Sequence, residues 1–135
     1  TGRIVRMSVE IRLLAWSVIL LLVHIIIQSM AVTRARGLVW NTGARDEANG
    51  PLPTYAGRAQ RALDNYKETW PAYIALALAL AVTGRTGGTA SLGAWIWFVA
   101  RLVYIPLYLF GVPWLRTLTY AVSLAGLILM LSRLF

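Results

Sequence analysis

A charged helix face that runs straight into apolar sequence sets the terms for this chain. Residues 58–71 read Arg-Ala-Gln-Arg-Ala-Leu-Asp-Asn-Tyr-Lys-Glu-Thr-Trp-Pro and continue unbroken into an Ala- and Leu-rich run, 72–82. On an α-helix Arg58, Arg61, Asn65 and Glu68 fall at i, i+3, i+7 and i+10, which is one face. Two cations, an amide and a carboxylate at the mouth of a membrane helix are costly unless each has a partner. That face is therefore expected to be buried against other helices and to hold something polar.

Composition supports the membrane setting. The 135 residues allow one domain, are 59% hydrophobic and have a mean hydropathy of +0.65, above ordinary soluble usage. The net charge of +8, from 12 Arg and one Lys against five acids, would suit nucleic acid in a polar chain. In one this apolar it assigns the arginines to cytoplasmic loops and buried partners, and no nucleic-acid partner is expected. With no Cys there is no disulfide, thiolate metal site or protein thiol nucleophile, and a single His argues against a histidine metal cluster or a Ser-His-Asp triad. No metal site is expected.

Four apolar runs predict an all-α, single-domain four-span bundle over 1–135, with spans at about 11–32, 55–82, 91–110 and 114–134. The first run is long enough for roughly 30 Å of hydrocarbon and lacks a small-residue cleavage pattern, so it reads as a retained span rather than a signal peptide. Residues 1–6, ahead of Met7-Ser8-Val9, read equally as an expression remnant or a native arm. The polar, Gly- and Pro-rich connection 33–54 is long enough to suggest function or flexibility. Gly84-Arg85-Thr86-Gly87-Gly88 lacks the Lys-Ser/Thr ending of a phosphate loop and reads as a turn, as does Gly111-Val112-Pro113. Arg34, Arg36, Arg45 and Arg58 flank or lie in the long connection, against Arg85 alone in the second loop. The positive-inside rule then puts the long connection and the Gly111 turn in the cytoplasm, with Arg3, Arg6 and Arg12 counting the other way.

Two further polar lines appear within the apolar runs. Arg101, Tyr104 and Tyr108 share a face of the third helix at i, i+3 and i+7, and Arg116 and Tyr120 share one of the fourth at i, i+4. Antiparallel packing brings Arg58, Arg61, Asn65, Glu68, Tyr108 and Arg116 to one membrane level, with Arg101 about 15 Å deeper than Phe110. One reading is an internal ion-pair network in which Glu68 and Asp64 pair with Arg61 and Arg101. The other starts from the surplus of cations, which invites an anion: a small, extended, carboxylate-bearing molecule whose amino group Glu68 would take. His24, with Gln28 one turn on, reads as sharing a hydrogen bond or meeting a partner across a helix interface rather than relaying protons. Trp95, Trp97 and Phe98 read as an interfacial belt.

These residues resemble a known family. Arg61, Asn65 and Glu68 in the pattern Arg-x-x-x-Asn-x-x-Glu, followed by an aromatic and Pro71, are similar to the second helix of the MAPEG family, the membrane-associated proteins of eicosanoid and glutathione metabolism. Ala100-Arg101-Leu102-Val103-Tyr104 with Tyr108 resembles its third helix, and Pro113-Trp114-Leu115-Arg116-Thr117 with Tyr120 the start of its fourth. Length and organisation suit a bacterial member, in the inner membrane. The resemblance implies a homotrimer that binds glutathione as co-substrate between neighbouring subunits. Arg61, Asn65, Glu68, Arg101, Tyr104 and Tyr108 would hold the tripeptide, Arg34 or Arg36 would contribute from the end of the first helix, and Arg116, helped by Thr117, would face the sulfur. Leu63 and Thr69 depart from the family's eicosanoid enzymes, which often carry a polar residue and a Tyr there, and Pro106 is placed to kink the third helix.

The implied chemistry follows from the missing cysteine. A free thiol titrates near ~8.5, so only a few per cent is thiolate at neutral pH. A guanidinium beside it stabilises the thiolate and does not itself lose a proton; a two-unit drop is worth about 2.7 kcal/mol. The expected activity is a membrane-bound glutathione-dependent transferase or peroxidase acting on lipophilic electrophiles or hydroperoxides that enter from the lipid. The alternative is a non-catalytic trimer that uses the polar network for assembly or for another anion or lipid. A small four-span drug/proton exporter is disfavoured because its embedded first-span carboxylate is matched only by Glu10, expected at or outside the membrane edge.

Overall fold

The computed structural model describes residues 7–37 and 52–135 as four helices: α1 (Val9–Arg36), α2 (Thr54–Val82), α3 (Thr89–Leu109) and α4 (Pro113–Ser132). Residues 1–6 and most of the 33–54 connection, including Arg45, lie outside the described residues. The chain is an all-α membrane helical bundle. By length and composition α1, α3 and α4 are apolar enough to cross a membrane. The first half of α2 instead carries Arg58, Arg61, Asp64, Lys67 and Glu68.

Helix ends follow local chemistry more than hydropathy. Ser8 caps α1, its hydroxyl accepting from Ile11 N at 3.3 Å. The helix runs four residues past the expected 32, through Arg34 and Arg36, whose charges suit a helix C-terminus. Gly37, at φ 89°, stops it with its N–H on Thr33 O. Pro113 opens α4 at a position where its missing N–H costs nothing. Pro106 sits inside the last turn of α3, and the helix continues through it to Leu109.

Two close pairs make up the bundle, α1 with α2 and α3 with α4. On α1 the buried positions Glu10, Leu13, Ser17, Leu20 and His24 alternate steps of three and four, the seam of a helix packed lengthwise on a neighbour. The matching ridge of α2 includes Ala62, Tyr66, Thr69, Tyr73, Ala77 and Leu80. Tyr73 and Trp97 stack at 4.2 Å and 9°. Their polar ends are satisfied: Tyr73 donates to Glu10 O, Tyr66 to Ser17 O, and Trp97 Nε1 to Thr69 Oγ1. The α3–α4 pair crosses at Gly93 and Gly126, where a Cβ on Gly93 would fall 2.5 Å from Gly126 O.

The aromatic belt is corrected here, and Glu10 and His24 acquire partners. Glu10, in the first turn of α1, is fully buried, its Oε1 accepting from Ser91 Oγ at 2.6 Å and Gly87 N at 3.2 Å. It ties the start of α1 to the segment that opens α3, through a backbone N–H just outside the helix and a hydroxyl in its first turn. Only Trp95 of the proposed aromatic belt faces outward; Trp97 and Phe98 are buried, because neighbouring positions on a helix diverge by about 100°. His24 meets its partner across the α1–α2 interface by stacking on Tyr66 at 4.9 Å, and its Nε2 has no hydrogen-bond partner.

Candidate functional site

The polar lines of α2, α3 and α4 meet around the second half of α3. Arg101 is fully buried, and its Nη1 donates to Asn65 Oδ1 at 2.8 Å. The guanidinium lies 4.3 Å from the centroid of Tyr104 and 5.5 Å from that of Tyr66, so two phenol faces stabilise the charge. Its Nε and Nη2 have no hydrogen-bond partner. Most buried polar groups are paired. A buried guanidinium bonded only to a neutral amide is therefore an unusual, costly arrangement.

One turn on, Tyr104 and Tyr108 lie 5.5 Å apart. Arg61 Nε donates to the Tyr108 hydroxyl at 3.1 Å, and Arg116 lies 4.8 Å from the centroid of the same ring. Between the three helices opens a pocket of about 250 Å³ lined by Asn65, Tyr104, Tyr108, Arg116, Thr117 and Tyr120.

Not every residue singled out in the sequence reaches this pocket. Arg58 donates from Nη1 to Leu109 O at 3.3 Å, so its charge serves the end of α3. Glu68 is exposed and is not among the lining residues. Arg34 borders a different cavity of about 390 Å³, with Ser29, Met30 and Thr33. Arg36 does not line the pocket either. Thr117 does line it, yet its hydroxyl donates back to Pro113 O at 3.1 Å and so presents lone pairs rather than a proton. Two neighbours of the site went unassigned as site residues in the sequence. Tyr120 lines the pocket, one helical turn beyond Arg116, and Tyr66 flanks Arg101 from the buried ridge of α2.

The match to known proteins rests on nearly the whole chain: the MAPEG family model covers residues 13–135. The chain belongs to the MAPEG family. That family includes glutathione-dependent transferases and peroxidases as well as non-catalytic members. No curated protein and no solved structure matches the chain. In this MAPEG protein the three helices with the motif residues are those that line the pocket; Arg116 lines it directly, while Arg61 and Arg101 stand behind its lining residues Tyr108 and Asn65.

Proposed function

We propose that this MAPEG protein is a multi-pass, membrane-bound glutathione-dependent transferase or peroxidase. It works as a homotrimer in a bacterial inner membrane, with the 33–54 connection on the cytoplasmic side. The observation that carries the reading is Arg101, a buried cation with two N–H positions unpartnered among the described residues, beside the Asn65 and Tyr104 of a pocket that Arg116 also lines. A ligand with carboxylates fits those guanidinium donors, because it offers the charged acceptors they lack.

Two observations favour assembly from several copies. The pocket, at about 250 Å³, falls below the ~300–1,000 Å³ usual for a ligand of this size, as expected of a site that a neighbour completes. On α2, Arg61, Asp64, Lys67 and Glu68 are exposed in the single chain. Lipid does not solvate such a face, whereas a second copy does. Glu68 and the α1 arginines then belong to a site shared between subunits.

Bound glutathione would supply the thiol that the chain lacks. Arg116 would sit beside the sulfur and favour its anionic form, held in place by its stack on Tyr108. Asn65, Tyr104 and Tyr108 would orient the tripeptide. Further along α2 and α4 lies a separate apolar groove of about 450 Å³, edged by Ala72, Leu76, Leu124 and Ile128. A groove of that character supports a lipophilic second substrate arriving from the bilayer.

The exposed α2 charges also favour the second reading, a non-catalytic trimer that spends its polar network on assembly. Calorimetry with glutathione in detergent, on the wild type, Arg116→Ala and Glu68→Gln, separates the two. The ligand-binding reading expects wild-type binding that Glu68→Gln weakens; the assembly reading expects no binding and a disturbed oligomer. Turnover of 1-chloro-2,4-dinitrobenzene distinguishes catalysis from binding alone.

A further inference from the structure

The geometry points to Arg58 as a positioning residue: through the turn at Gly111 it sets the spacing between Tyr108 and Arg116. This rests on the site reading above, because those two residues matter only if the pocket works.

The turn is short and highly determined. Val112 N bonds Leu107 O and Gly111 N bonds Tyr108 O, both at 3.0 Å, the two bonds of a Schellman ending with Gly111 in its left-handed position at φ 70°. Pro113 starts α4 directly afterwards. Tyr108 and Arg116 thus stand on the two arms of one tight connection, and the conformation of that connection fixes how the guanidinium lies over the ring.

Arg58 grips this connection from α2. Its Nη1 bonds the Leu109 carbonyl at the end of α3, where helix carbonyls lack partners and a cation suits the dipole. The same guanidinium covers Gly111: a Cβ there would fall 2.7 Å from Cζ and Nη2 and 3.0 Å from Nη1. Glycine is thus required for its φ, and a side chain there would also displace the guanidinium resting on it. One turn along α2, Arg61 holds the Tyr108 hydroxyl. The helix therefore secures the end of α3 by backbone and side chain together. Arg58 does not line the pocket, so its effect on the site runs through the turn.

The test uses the full chain in detergent as wild type, Arg58→Ala, Arg58→Lys, Gly111→Ala and the Arg58→Ala/Gly111→Ala double variant. Hydrogen exchange is followed by peptide, and glutathione affinity by calorimetry. Arg58→Ala and Gly111→Ala are each expected to speed exchange in 107–116 about tenfold while 91–105 stays unchanged. Arg58→Ala should raise the glutathione Kd about tenfold and Gly111→Ala at least as much, and the double variant should stay within about twofold of Gly111→Ala, because that substitution already displaces the guanidinium as well as straining the turn. Arg58→Lys should restore part of both. Unchanged exchange in 107–116, loosening spread through α3 and α4, or multiplying effects in the double variant each overturn the proposal. If Arg58→Ala does not fold, Gly111→Ala decides. If the wild type binds no glutathione, the site reading fails by itself and the exchange measurement still decides the clamp.

Discussion

Arg116 lies 4.8 Å from the centroid of the Tyr108 ring while Arg61 Nε reaches that residue's hydroxyl at 3.1 Å. One phenol of α3 is thus shared by cations from α2 and α4, its face taken by one and its oxygen by the other. The hydroxyl, by accepting from Arg61, gives up a lone pair that a ligand would otherwise use. The face keeps Arg116 from folding away into the lipid headgroups. The chemistry asked of Arg116 depends on that restraint, because a guanidinium on a free side chain stabilises a thiolate only for part of the time.

Removing the cation should therefore cost turnover more than binding. For Arg116→Ala, kcat/KM in conjugation is expected to fall about 100-fold, the scale of losing one transition-state charge partner. The pH profile carries the sign. A thiol whose anion is stabilised titrates below its free value of ~8.5, so wild-type activity rises with pH and levels off below that value. In Arg116→Ala the inflection should move back up toward ~8.5, since the group favouring the anion is gone. Identical profiles for the two proteins would remove Arg116 from the thiolate role.

Arg101 separates ligand binding from assembly by an inverted pattern. Its Nε and Nη2 are unpartnered among the described residues, and Asn65 and two phenol faces offset its charge only in part, so replacing it with an apolar side chain of similar length removes a poorly compensated buried charge. Arg101→Met is expected to melt at or above the wild-type midpoint without ligand. Glutathione at 100 times its Kd should stabilise the wild type by about 2.7 kcal/mol and the variant by nothing. Asn65→Ala does the opposite, stripping the guanidinium of its amide partner, and should cost about 1–3 kcal/mol even without ligand. A trimer that falls apart in Arg101→Met would instead assign the arginine to assembly.

Much of this was legible from spacing. Arg101, Tyr104 and Tyr108 share a face because of their i, i+3, i+7 register, and that face lies against the pocket or the core as read. Legibility stops where one helix meets another. That Asn65 rather than Glu68 takes Arg101, or that Arg58 is spent on the Leu109 carbonyl, depends on the rotation of α2 against α3, which no single-helix pattern encodes. The partners of Glu10 were illegible for a related reason: hydropathy marks a carboxylate at a helix start and says nothing of the Gly87–Ser91 segment that it bonds. Thr117 was readable in principle, since a hydroxyl in a helix commonly bonds the carbonyl four residues back.

Glu10 offers a stability prediction uncoupled from the site. It bonds the start of α3 at the end opposite the pocket, about 25 Å away by helix rise from Ser91 to Tyr108. Glu10→Ala removes both bonds to Gly87 and Ser91 and the negative charge at a helix start, and should lower unfolding stability by about 1–3 kcal/mol. Glutathione affinity should stay within about twofold of wild type, because distant sites without shared partners behave independently. Thermal melts and calorimetry on the same preparation check both halves. Lost affinity with an intact fold would mean that the two ends of α3 are coupled.

The α3–α4 crossing makes the sharpest steric prediction. At Gly126 a methyl group would sit 2.6 Å from Gly93 O and 2.7 Å from Trp97 N, both backbone atoms that no side-chain rotation can clear. Gly126→Ala must therefore push α3 and α4 apart, and overpacking of this kind costs about 1–3 kcal/mol. Ala125, the neighbouring exposed position, is the control: Ala125→Leu adds more volume yet is expected to leave the melt unchanged. Because Trp97 stacks on Tyr73 and caps Thr69, the displacement at Gly126 should also appear as a shift in tryptophan emission. A Gly126→Ala protein with wild-type melting and emission would mean that the two helices do not approach this closely.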